Sequence, residues 1–197
     1  MFDKKSSNKR HQKDPDIYFQ TLGQESVDKG KENLTDGFAM SSITIQRLEY
    51  DHPDATTLRD AQQLEISPLR PAGFGVLASA TIIPIFLVAY DGAEPVACGG
   101  LRPLADQVLP GQAEIKRMYV VPSRRGSSED GVRVAEVILE ALEGAAREQG
   151  WTVLRAQTSK AMAQARRFYE KFGYLPCEVL EGGEKSKYFV CYDKSLA

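Results

Sequence analysis

Apolar positions recur along this chain with two periods, and the switches between them mark out the elements. Residues 43–50, ITIQRLEY, alternate as a strand does. In PDATTLRDAQQLEI, residues 53–66, Ala55, Leu58, Ala61 and Leu64 fall at helical spacing and Pro53 suits a first turn, so a helix is expected. PIFLVAYDG reads as a strand ending in an Asp91-Gly92 turn, with EPVACGGLRPL as the returning arm of a hairpin. QAEIKRMYVVP is a further strand, stopped by Pro122. Ala135, Ile138, Leu139, Leu142 and Ala146 form one apolar stripe on a helix over about 131–149, and Gly150 ends it. WTVLRAQTS is a strand, and AMAQARRFYEKFGY a helix ending at Gly173. Strands over 175–179 and 187–193, with a turn at Gly182-Gly183 between them, complete the chain. The order β-α-β-β-β-α-β-α-β-β predicts a mixed sheet with helices packed on it.

Residues 1–39 follow neither period. They carry seven basic and seven acidic residues, and Ile17-Tyr18-Phe19 is their only apolar cluster. Such a segment cannot bury enough apolar area to offset its chain entropy. A disordered tail over 1–39 is therefore expected ahead of a single domain over 40–197.

Composition narrows the functional classes. A hydrophobic fraction of 42% supports a real core, while a net charge of −2 and a pI near 5.8 argue against a nucleic-acid partner. Any anionic ligand must then be held by a local cluster. Cys98, Cys177 and Cys191 are odd in number and lack metal-binding spacing, which suits a reducing compartment and predicts no metal. The N-terminus lacks a signal peptide's apolar core, and the longest apolar run, 81–90, contains Pro84 and is too short to span a bilayer. A cytoplasmic protein without a membrane partner is expected; a homodimer is left open.

The stretch VVPSRRGSSEDGVRVAEVIL runs from a strand through a polar loop into a helix. The first N–H groups of that helix have no internal partner, and nearby glycines let backbone approach an anion closely. Over 124–133 three arginines stand against two acids. Alone, the loop reads equally as a plain turn, capped by Ser128 or Asp130. It is neither a Walker loop nor a dinucleotide-binding fingerprint.

The order ACGGLRPL, AEIKRMYVVP, the Arg-Gly loop with AEVILEALEGAAREQGW, AQTS and ARRFYEKFGY resembles the GNAT N-acetyltransferase superfamily over about 43–195. The resemblance implies an α/β fold of the α+β type, a mixed, mostly antiparallel twisted sheet with helices on both faces. It implies acetyl-CoA as cosubstrate. Met118, Tyr119 and Val120 would lend backbone to its pantetheine arm and polarise the thioester carbonyl. Arg125, Gly126 and the helix start through Gly131, Arg133, Val134 and Ala135 would hold its pyrophosphate. Tyr169 matches a tyrosine that can protonate the departing thiolate, and Glu114 a general base.

An amine near neutral pH is mostly protonated and must lose a proton before it attacks a thioester, hence the need for a carboxylate near the carbonyl. Each residue also has a plainer reading. Glu114 can be a solvated strand residue or a partner of Lys116, and Tyr169 an aromatic of the core. Cys98 has no visible base to activate it, and neither His11 nor His52 belongs to these motifs, which argues for direct attack in a ternary complex. The expected activity is transfer of an acetyl group to a primary amine of a small molecule. A peptide or protein amine, or a catalytically weak acyl-CoA-binding module, are the alternatives.

Overall fold

The computed structural model describes residues 43–69, 82–104, 109–126, 133–179 and 185–196. The tail over 1–39, the loop with Ser128, Glu129, Asp130 and Gly131, and the Gly182-Gly183 turn lie outside these residues. Seven strands form one sheet: β1 (Ile43–Arg47), β2 (Ile85–Asp91), β3 (Glu94–Pro103), β4 (Gln112–Val120), β5 (Val153–Ser159), β6 (Leu175–Cys177) and β7 (Phe189–Ser195). Their spatial order is β1-β2-β3-β4-β5-β7-β6. Only β4 and β5 pair in parallel among these strands; the other pairs are antiparallel. The helices are α1 (Pro53–Ile66), α2 (Val134–Glu148), α3 (Ala163–Lys171) and a single turn, α4 (Lys185–Tyr188), ahead of β7.

Helices cover both faces. On one face α1 sets Ala55 and Leu58 against Phe86, Val88, Tyr90, Cys98 and Tyr119. On the other, Val134, Ile138, Leu139, Leu142 and Ala146 of α2 and Tyr169 of α3 meet Leu87, Leu101, Ile115, Leu154 and Ala156. Gly99 permits the close approach of α2: a Cβ there would stand 2.7 Å from Leu142 Cδ1. Glu143, on the same helix, is buried and accepts hydrogen bonds from Lys194 at 2.8 and 3.0 Å and from the Tyr174 hydroxyl at 3.2 Å. These bonds satisfy a carboxylate that burial alone would destabilise, and tie α2 to the C-terminal strand.

The face of α1 differs from the expected stripe. Ala55, Leu58 and Gln62 are its buried residues, whereas Leu64 is 78% exposed. Steps of three residues fall behind a turn of 3.6, so nine residues from Ala55 to Leu64 rotate by roughly 180° beyond whole turns. Steps of three and then four, through Leu58 to Gln62, keep the face. The N-terminus of α1 is capped by His52, whose Nδ1 accepts from the Asp54 amide at 3.2 Å, which gives this histidine a structural task.

Candidate active site

The site begins with an irregularity in β4. Cys98 pairs with Tyr119 and Gly100 with Lys116, so Arg117 and Met118 together stand opposite Gly99, a β-bulge. Arg117 takes φ of +57°, a left-handed conformation costly for a residue with a long side chain. Pairing between β4 and β5 runs from Gln112↔Val153 to Ile115↔Ala156 and stops there, just before the bulge. Beyond that point a cavity of about 210 Å³ opens, lined by Lys116, Arg117 and Met118 from β4, Gln157 and Thr158 from β5, and Tyr169 from α3. Gln62 and Ile66 of α1 close another wall.

Met118 and Tyr169 meet in this cavity. The Tyr169 hydroxyl lies 3.5 Å from Met118 Sδ, a weak acceptor, and the Met118 carbonyl accepts from Gln62 Nε2 at 2.8 Å. The Tyr169 ring packs edge-on against Phe168 and Tyr174 and stacks on Tyr192. Burial, and secondarily the charge of Glu114, push its pKa well above the ordinary tyrosine range. Its hydroxyl therefore stays neutral, and a donor, at any working pH.

Glu114 sits beside the cavity and not in its lining. Its side chain is 1% exposed, with one oxygen held by Arg102 and the other by Lys116 Nζ at 3.0 Å. Arg102 is its cross-strand partner in β3. Lys116 reaches the cavity wall, so it joins the carboxylate to the open space.

The described pyrophosphate candidates lie at the two ends of the connection from β4 to α2, Arg125 and Gly126 after β4 and Arg133, Val134 and Ala135 at the start of α2. Arg125 Nε donates to the Val120 carbonyl at 2.8 Å, and its two terminal nitrogens grip Glu65 at 2.7 and 2.6 Å. That grip holds the Glu65 carboxyl below its usual range, the Arg125 hydrogen bond being the largest cause. Gly126 has φ of +87°, and among the described residues nothing lies within 4 Å of a notional Cβ. Arg133 is the N-cap of α2 and makes no side-chain cap, so among the described residues no capping side chain takes up the first amides of the helix, at Val134 and Ala135. Its guanidinium instead reaches Glu136 at 3.2 Å. Gly131 lies outside the described residues.

Cys98 is unsuited to nucleophilic work. It is fully buried, and burial pushes its thiol from an ordinary 9.0 up to about 12, against the opposing charges of Arg59 and Arg117. Tyr90 behaves alike: burial, then its hydrogen bond to Asp54, raises it from 10.0 to about 12. Both groups are neutral when folded, and the unfolded chain ionises first. Stability is thus intact below about pH 9 and falls as pH rises, by about 1.4 kcal/mol per pH unit for each group between its two pKa values. Tyr169, Tyr174 and Cys177 shift in the same direction. Urea midpoints at pH 7.5 and 10.5 should differ sharply; equal midpoints would refute this assignment.

Gln62, Arg102, Arg117 and Gln157 are site residues that sequence reasoning missed. Gln62 alone left a trace, as a polar residue in phase with Ala55 and Leu58. Among the described residues, no group of three or more His, Cys, Asp or Glu is arranged to hold a metal, and no helix is long and apolar enough to cross a membrane.

Residues 83–176 match the family model of the acetyltransferase (GNAT) domain. A solved structure described as an acyl-CoA N-acyltransferase from Klebsiella pneumoniae superposes with a TM-score of 0.64 at 23% identity, over 80% of this chain and 99% of that one. An acetyltransferase of the GNAT family from Staphylococcus aureus gives 0.58 at 14% identity, over 79% of this chain and 100% of that one. The ribosomal-protein-S18-alanine N-acetyltransferase of Escherichia coli gives 0.52 at 14%, over 79% and 95%. At such identities these likenesses speak for the fold and leave the acceptor open.

Proposed function

We propose, from the premise that this chain carries a GNAT acetyltransferase domain over residues 83–176, that it moves an acetyl group from acetyl-CoA to a primary amine of a small molecule by direct attack in a ternary complex. The observation that carries this reading is the parting of β4 from β5 beyond Ile115 and Ala156, with Met118 and Tyr169 facing each other across it. In this reading, Arg133, the α2 amides at Val134 and Ala135, and the backbone at Gly126 receive the pyrophosphate. Arg125 is itself held in place beside Gly126 by its bonds to Val120 and Glu65. The pantetheine arm runs along Met118, Tyr119 and Val120.

The amine nitrogen attacks the thioester carbon, the C–N bond forms and the C–S bond breaks. The nitrogen gives up a proton and the sulfur gains one. Tyr169 donates a hydrogen bond to the sulfur as its negative charge grows. Glu114 takes the amine proton through water at the Lys116 end of the cavity, since the carboxylate itself does not line it.

Acetyl-CoA at about a hundred times its Kd should stabilise the fold by about 2.7 kcal/mol, a rise in Tm of roughly 5–10 °C. Thiol release should then follow with members of a small-amine panel. The absence of any stabilisation by acetyl-CoA or CoA would defeat the proposal. Binding without thiol release would favour a non-catalytic acyl-CoA-binding module.

A further inference from the structure

The cavity contains two buried carboxamide oxygens without partners and a cation that, among the described residues, pairs with no carboxylate. Gln62 Nε2 is committed to the Met118 carbonyl, which fixes the amide's orientation and leaves Oε1 buried with no hydrogen bond. Gln62 is more than nine-tenths buried and lines the cavity. Gln157 Oε1, on the opposite wall, is likewise buried and unpaired. A buried, unpaired acceptor is costly, and a ligand donor removes that cost. An amine has N–H groups for both oxygens.

The charge of the lining is equally one-sided. Lys116 and Arg117 belong to it, and among the described residues no Asp or Glu does. Lys116 is neutralised by Glu114 behind it, which Arg102 also holds. Among the described residues, the Arg117 guanidinium donates a long hydrogen bond of 3.4 Å to Gln63 Oε1, a neutral partner. Gln63 belongs to α1, so this cation lies on the α1 face of the sheet, whereas α2, whose N-terminus would take the cosubstrate's phosphates, packs on the other. The bulge that aims Arg117 keeps a non-glycine residue in a left-handed conformation, a strain consistent with a functional demand on its side chain.

We infer that the acceptor is an amine bearing an anionic group, of the size of an aminocarboxylate. Gln62 and Gln157 receive the amine N–H groups, and Arg117 pairs with the carboxylate. This rests on the acetyltransferase reading for its chemistry, but its binding content can be tested separately. The planar guanidinium offers two parallel N–H donors to a carboxylate, a geometry that also accommodates a phosphate.

The test compares a set of L-amino acids with their primary amides and with phosphoethanolamine, in the wild type and in Arg117→Asn and Arg117→Lys. Asn tolerates the left-handed backbone while removing the charge. Thiol release from acetyl-CoA gives kcat/KM, and calorimetry in the presence of CoA gives binding whether or not turnover occurs. For at least one amino acid, kcat/KM should exceed that of its amide by at least 10-fold. Arg117→Asn should lower kcat/KM for the amino acid far more than for its amide, bringing the two within about twofold of each other, and Arg117→Lys should restore part of the preference. Preference for phosphoethanolamine over every amino acid would keep the anion site and replace the carboxylate by a phosphate. Amides equal to acids in both turnover and binding, or an equal loss for both in Arg117→Asn, would overturn the inference. Failure of acetyl-CoA to bind or react, with amino acids still bound through Arg117, would instead strike the acetyltransferase reading alone.

Discussion

Tyr169→Phe is expected to lower kcat by about 100-fold while leaving the affinity for acetyl-CoA within about twofold, because it deletes one donor that acts on developing charge. The substitution is unusually clean at this position. The hydroxyl's only described hydrogen bond is to Met118 Sδ at 3.5 Å, so little stability is lost with it. The ring keeps its contacts with Phe168, Tyr174 and Tyr192. A hydroxyl on a buried side chain at the cavity wall, with no better described partner than a thioether, is free to donate to a ligand. Its raised pKa means that it works by donating a hydrogen bond to the sulfur, with the full proton supplied in the end from the amine. Steady-state kinetics with thiol detection and a melting curve settle the matter. A kcat within twofold of wild type would remove Tyr169 from the mechanism and return it to the core.

The second large effect is expected at Glu114. Exchange for Gln leaves Arg102 and Lys116 without their counter-charge at a site 1% exposed, at a cost on the order of 2–3 kcal/mol, since both cations can turn partly to water. That corresponds to a fall in Tm of roughly 5–10 °C. Turnover should fall as well, and most at lower pH, where the amine is hardest to deprotonate. The two readouts separate the roles. A lowered Tm with an unchanged pH profile would make Glu114 an electrostatic anchor for Lys116 and deny it the work of a base.

How far these features could be read from the sequence depends on the range of the forces involved. The strands and helices follow from period alone, and α2 and β4 lie within a few residues of where LEALEGAARE and AEIKRMYV place them. The bulge at Arg117 could not be read that way. It arises where β3 and β4 fall out of step around Gly99, and nothing in IKRMYV signals it. The burial of Glu114 also escaped, because its partner Arg102 is twelve residues away and the hairpin register decides that they meet. Tyr169 and Met118 were legible as candidates through the resemblance, but their meeting across two strands and a helix is a tertiary fact. Leu64 was misplaced for a simpler reason: a count by threes drifts around a helix, and Gln62 holds the face that Leu64 leaves.

The parting of β4 and β5 has a mechanical consequence. Strands β1 to β4 and strands β5 to β7 are separate rafts joined along only four residue pairs, against seven between β5 and β7. The joint is a zipper closed at one end. Whatever lodges in its open end stands between the two rafts as a wedge in masonry does, sharing load with the few rungs that remain. A ligand in the cleft is therefore expected to slow amide exchange along β4 and β5 on both sides of it, and equal exchange with and without CoA would show that the seam holds by itself.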